Sequence, residues 1–71
     1  MGTHTLMRID GEKLRTLRES RLWLIGDLAE KSGVHRNLIS TYELGKSGAH
    51  PETIRKLANA LGVDPSELIR K

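Results

Sequence analysis

The chain has no cysteine and no phenylalanine, and only one tryptophan, one tyrosine and two prolines in 71 residues. Without cysteine there are no disulfides, no thiolate metal sites and no thiol nucleophile. With so few aromatics, and no run alternating apolar and polar residues, strands are disfavoured. Leu, Ile and Ala dominate the apolar set, which favours helices. No apolar run approaches the ~20 residues of a membrane span. The opening MGTHTLMR lacks the apolar core of a secretory signal, so a cytoplasmic protein is expected. There is no internal repeat and no low-complexity segment. A chain this short reads as one small domain near the lower size limit for an unstapled core. Helix packing, aided by dimerisation, has to stabilise it.

Charge is nearly balanced, with twelve Lys and Arg against nine Asp and Glu, a net +3. That excess suits a polyanion without requiring one. Its placement says more. Between positions 31 and 56, Lys31, Arg36, Lys46, Arg55 and Lys56 face only Glu43 and Glu52.

The pattern predicts an all-α bundle of five short helices. The first runs from about Gly11 to Ser20, capped by Asp10, with Leu14 and Leu17 inside. The second covers Ile25 to Ser32 and stops at Gly33. The third spans Arg36 to Leu44 and stops at Gly45. The fourth opens on Pro51, carries Ile54, Leu57, Ala58 and Leu61 at helical spacing, and ends at Gly62. The fifth follows Asp64 and Pro65, with Glu67 completing a capping box before Leu68 and Ile69. The first nine residues read as frayed. Residues 1–8 are assigned to a flexible segment and 9–71 to the domain. Met7 stands as an alternative first residue.

The most informative stretch is LAEKSGVHRNLISTYE, residues 28–43. It reads as a helix, a tight turn at Gly33 and a second helix, the layout that sets a reading helix in the DNA major groove. Stepping 100° per residue from Arg36, Leu38, Ile39, Tyr42 and Glu43 fall on one arc. Arg36, Asn37, Ser40, Thr41 and Leu44 fall on the other. Asn, Ser and Thr form helices poorly, so their concentration there asks for a reason. Base recognition supplies one. Arg can donate twice to guanine, Asn can bridge adenine, Thr41 suits a thymine methyl or a phosphate, and Ser40 permits close approach. Arg36, Asn37, Ser40 and Thr41 are therefore the candidate base readers.

LRTLRE at 14–19, LAEKSGV at 28–34, ISTYELGK at 39–46 and PETIRKLANALGVDPSEL at 51–68 together resemble the Cro/repressor-type helix-turn-helix family over about residues 9–69. The resemblance implies base contacts from Arg36, Asn37 and Thr41. It also implies phosphate contacts from the start of the second helix at Ile25, from Lys46 and Ser47, and from the start of the fourth helix. Helix N-termini suit anions because free N–H groups and the dipole attract them. His35, in place of the usual Ser or Thr, reads as a cap or a phosphate contact. The resemblance further implies a structural ion pair between Arg18 and Glu43.

The segment ESRLWLIGDLAE departs from that family. Leu22 stands where a glycine usually ends the first helix, Leu24 where Ser or Thr usually caps the second, and Ile25 where a polar residue is common. The favoured explanation of Leu22-Trp23-Leu24-Ile25 is core packing around Trp23. The alternative is an exposed run that binds a partner. Leu38 borders the reading face, and edge packing is the preferred account of it.

Other chemistries find little support. His4, His35 and His50 lack metal-ligand spacing. GKSGAH has Ser40 where a phosphate loop needs glycine, and no strand precedes it. No nucleophile has a matching base. The expectation is a non-enzymatic regulator, a repressor most simply, without cofactor or metal. It would bind a pseudo-palindromic operator as a homodimer and come from a bacterium, phage or mobile element. The competing class is a protein-interaction module of the same fold, an antitoxin-like or anti-repressor partner.

Overall fold

The carboxylate of Asp10 accepts from the Lys13 N–H at 3.1 Å and starts α1 (Gly11–Ser20) in the computed structural model, which describes residues 6–70. Three further α-helices follow: α2 (Ile25–Ser32), α3 (Arg36–Glu43) and α4 (Pro51–Leu61). α1 packs on α3, and α2 lies against both α3 and α4. The large side chains enclosed most completely are Leu14, Leu28, Ile39, Ile54, Leu57 and Leu68, so every helical element contributes to one shared core. Burying each stabilises by about 1.5–3 kcal/mol. No helix among the described residues is long and apolar enough to cross a membrane.

The predicted fifth helix is instead a single 3₁₀ turn, Pro65–Leu68, so there are four α-helices rather than five. The expected capping box is half there. Asp64 accepts from the Ser66 N–H at 2.9 Å and from its hydroxyl at 2.8 Å. Glu67, however, pairs with Lys13 at 3.0 Å. The cause lies just downstream. The Leu68 carbonyl accepts from the Asp10 N–H at 2.7 Å, and the Arg70 N–H donates to the Arg8 carbonyl at 2.9 Å. Ile69 forms an antiparallel bridge with Ile9. Extended backbone is required directly after Leu68, which leaves room for one turn only.

The same pairing organises the N-terminal segment read as frayed. Met7 and Ala49 exchange both backbone bonds, at 2.8 and 2.9 Å, and Ile9 and Ala49 are buried. Residues 7–9 thus lie between the loop before α4 and the segment after the 3₁₀ turn. His4 and residues 1–5 fall outside the described residues.

The run Leu22 to Ile25 splits by alternate residues. Trp23 and Ile25 pack against the core, while Leu22 is 91% and Leu24 74% exposed. Core packing therefore accounts for only half of it. Leu22 takes a left-handed φ of 59° and Leu24 is extended, so successive side chains face opposite ways. Arg21 and Lys31 lie over the Trp23 ring, 5.8 and 5.0 Å from its centre. Arg21 also donates to the Leu17 carbonyl at 2.7 Å and the Leu61 carbonyl at 2.6 Å. It thereby satisfies carbonyls at the ends of α1 and α4, where a cation also suits the helix dipoles.

Candidate nucleic-acid interface

Gly33, Val34 and His35 separate α2 from α3. Gly33 adopts φ 77°, and its N–H closes α2 on the Ala29 carbonyl at 2.9 Å. A residue with a Cβ would be strained there. Val34 is buried beneath the turn, and Ile39 and Tyr42 face the core from α3. Tyr42 also bonds Thr53 of α4. Burial pushes its phenol above the usual range, and that bond partly offsets the shift. These contacts fix the rotation of α3 and decide which of its residues face outward.

Arg36 and Asn37 are exposed, and Ser40 and Thr41 are partly exposed. Among the described residues, the Arg36 guanidinium and the Asn37 amide have no hydrogen-bonding partner. Thr41 uses its hydroxyl proton within the helix, donating to the Asn37 carbonyl at 2.9 Å. Its methyl and hydroxyl lone pairs remain for contact. Leu44 is 63% and Leu38 46% exposed, so the edge packing preferred for Leu38 covers only part of its side chain.

His35 is the N-cap of α3. Its Nδ1 accepts from the Asn37 N–H at 3.1 Å. That arrangement requires a neutral ring with the proton on Nε2, which is then a donor available to a phosphate oxygen.

At the other end of α3, Arg18 takes Glu43 out of the surface. Nε donates to Oε2 at 2.7 Å and Nη2 to Oε1 at 2.9 Å, while Nη1 donates to the Trp23 carbonyl at 2.7 Å. The hydrogen-bonded Glu43 carboxylate pushes the Arg18 pKa up, against the opposing effect of burial. One residue therefore neutralises the acid of α3 and also fastens the α1–α2 connection. With Glu43 neutralised, the charge nearest the outer face of α3 comes from Arg36 and Lys46.

Gly11 was not singled out from the sequence. A Cβ on it would meet the carbonyl oxygens of Tyr42 and Glu43, lying 2.6 Å from the latter. The start of α1 thus presses directly on the end of α3. The available signal was a glycine just inside a helix, where propensity gives it no local reason.

The residues assigned to phosphate divide by environment. Lys46 and Ser47 are exposed after α3, with the Lys46 N–H held by the Thr41 carbonyl at 3.1 Å. Ile25 is half-buried at the first position of α2. Asp27 already stands at that terminus, its carboxylate accepting from the Leu24 N–H at 2.8 Å. A leucine side chain cannot return a bond, so the terminus keeps donors, but beside a fixed negative charge. No group of three or more potential metal ligands occurs among the described residues.

Comparison with known proteins bears on the family and the fold. Residues 14–68 match a family described as "Helix-turn-helix". The HTH-type transcriptional repressor RghR of Bacillus subtilis is 47% identical over 62 residues, 86% of this chain and 46% of its own. An HTH-type transcriptional regulator of Mycobacterium bovis is 40% identical over 60 residues, 84% of this chain and 23% of its own. The chain therefore spans less than half the length of these curated relatives. Among solved structures, the restriction-modification controller protein C.AhdI from Aeromonas hydrophila superposes with a TM-score of 0.77 at 35% identity. That match covers 80% of this chain and 86% of the other.

Proposed function

Because the chain belongs to the helix-turn-helix family, we propose that it binds double-stranded DNA sequence-specifically as a transcriptional regulator, with α3 in the major groove. The observation that carries this reading is the outer face of α3. Arg36 and Asn37 stand exposed and unpartnered there, while the one acid of the helix is locked to Arg18. Arg36 and Asn37 read base edges, Thr41 offers its methyl, and Ser40 lets the helix approach closely. Lys46, Ser47 and His35 Nε2 hold phosphates and fix the register, with the Ile25 amide assisting at the start of α2.

Repression by occupying the operator is the simplest mode for such a domain. A two-fold dimer on a pseudo-palindrome, with half-sites about one helical turn apart, supplies the surface that affinities of about 10⁻⁸–10⁻¹¹ M require. In this reading the protein works in the cytoplasm without a cofactor.

The test is selection of preferred sites from a random duplex pool, followed by affinity measurements across salt concentrations. The expected results are a pseudo-palindromic consensus and a steep negative slope of log affinity against log salt. Absence of duplex binding at low salt would sink the proposal.

The exposure of Leu22 and Leu24 favours a second reading, a surface that binds a protein partner. Leu22→Ser with Leu24→Ser separates the two. DNA binding retained with loss of repression in cells would assign that surface to a partner.

A further inference from the structure

Arg8, Lys46 and Arg70 come from three distant parts of the sequence and line one pocket of about 340 Å³, together with Ile9, Gly45, Ser47 and Gly48. The backbone pairing described above brings them together. Met7 is bonded to Ala49, and the Arg70 N–H to the Arg8 carbonyl at 2.9 Å. Among the described residues, the lining holds three cations and no carboxylate. None of the three makes a side-chain ion pair or hydrogen bond among the described residues. The chain has nine acids against twelve bases, and elsewhere it spends acids on ion pairs such as Arg15–Glu19 and Lys13–Glu67. Like charges gathered without a counter-charge repel, and a multivalent oxyanion relieves that repulsion.

We propose that this pocket is a phosphate-binding site, in which Arg8 and Arg70 add two cations to Lys46 and grip a phosphate oxyanion between the two ends of the domain. Resting on the DNA-binding reading, the phosphate is a diester of the DNA backbone beyond the bases touched by α3. The same chemistry would accept a free phosphate compound. The site makes the N-terminal segment part of the interface. It also explains why an antiparallel pairing of residues 8 and 70 is useful, since it fixes two long side chains whose guanidinium groups favour phosphate.

The probes are duplex DNA and inorganic pyrophosphate, applied to the chain as it stands and to Arg8→Gln/Arg70→Gln. Both substitutions leave the backbone bonds intact, and a thermal melt checks the fold. Arg8→Lys/Arg70→Lys keeps the charge, and Arg15→Gln removes a cation from outside the pocket. The slope of log affinity against log salt is expected to fall in magnitude by about 1–2 in the double Gln variant. The preferred sequence should stay unchanged, and both the Lys variant and Arg15→Gln should keep most of the slope. If the slope holds but pyrophosphate shifts the amide resonances of Gly45 to Gly48 only when the arginines are present, the site is real and its ligand is a free phosphate compound. If neither slope nor resonances depend on Arg8 and Arg70, the site is refuted, whatever α3 does. Should the chain bind no duplex at all, the DNA-binding reading fails, and the pyrophosphate response alone decides whether the pocket binds phosphate.

Discussion

Arg18 grips Glu43 with two parallel hydrogen bonds, and both side chains are more than nine-tenths buried. Removing one partner from such a pair leaves an uncompensated buried charge and costs about 3–5 kcal/mol. A domain of this size has roughly 4–10 kcal/mol in total. Glu43→Leu and Arg18→Met are each expected to lose a large share of that stability. Arg18→Met/Glu43→Leu, which removes both charges and keeps volume, should lose far less than the sum of the single changes. Urea unfolding of all four proteins measures the coupling.

Leu22 offers the opposite opportunity. It is held at φ 59° with 91% of its surface exposed. A non-glycine residue there costs about 1–2 kcal/mol. Glycine would remove that cost and bring its own entropic penalty of roughly 0.5–1 kcal/mol. Leu22→Gly is therefore expected to stabilise by about 0.5–1 kcal/mol, or several degrees in Tm for a small domain. Leu22→Ala retains the strain and should gain nothing. A Leu22→Gly variant that melts below Leu22→Ala would show that the backbone is not strained.

Gly11 is constrained by contact rather than by its dihedral. Ala at this position would ordinarily favour the helix by about 1 kcal/mol. Here the added methyl meets the Tyr42 and Glu43 carbonyls, which are backbone and cannot swing away. Overpacking of this kind typically costs about 1–3 kcal/mol. Gly11→Ala should destabilise in chemical denaturation. It should also weaken any DNA binding more than its stability loss explains, because α3 is displaced.

What the sequence revealed, and what it hid, follows from the range of the interactions involved. Asp10, Gly33, Pro51 and Gly62 act through their own dihedrals or one local bond, and the bounds of the first, second and fourth helices were readable from them. Tyr42 and Glu43 followed from helical spacing once Arg36 was placed. The fifth helix was over-read, because Asp64, Pro65 and Glu67 are sound local signals. The demand for extended backbone at Ile69 comes from Ile9, sixty residues away. The same long-range pairing hid the roles of Met7, Ile9 and Arg70. Leu22 and Leu24 were misread for another reason: an apolar composition does not reveal that alternate residues face opposite ways.

The 3₁₀ turn carries a pH signature. Bonds from the backbone N–H and hydroxyl of Ser66 hold the Asp64 carboxyl below its ordinary value of 3.8. A carboxyl lowered in the folded state contributes stability that is present above its unfolded value. That contribution disappears as pH falls through the lower folded value. Asp64→Ala should therefore lower Tm at neutral pH, and the difference from the unchanged chain should close below about pH 4. Asp64→Asn, which caps without ionising, should stay closer to the unchanged chain at every pH. A Tm difference between Asp64→Ala and the unchanged chain that persists undiminished at the lowest pH would assign the effect to packing instead.

The strongest division of labour runs along α3 itself. Arg36 and Asn37 touch no other described side chain through hydrogen bonds, so replacing either with Ala should leave Tm nearly unchanged. If they read bases, each loss should cost about 1–3 kcal/mol on the preferred duplex and relax the preference at one position of each half-site. Lys46→Ala should instead weaken every duplex alike and reduce the salt slope by about 1. His35→Ala combines the two kinds of effect. It removes the cap on the Asn37 N–H, costing about 1 kcal/mol of stability, and with it the Nε2 donor that the proposed function assigns to phosphate. His35→Asn restores a cap but offers its amide in place of Nε2. The expected order is therefore recovered Tm with incomplete recovery of duplex affinity. Full recovery of both would confine His35 to capping, and an unchanged site preference in Arg36→Ala would remove Arg36 from the base readers.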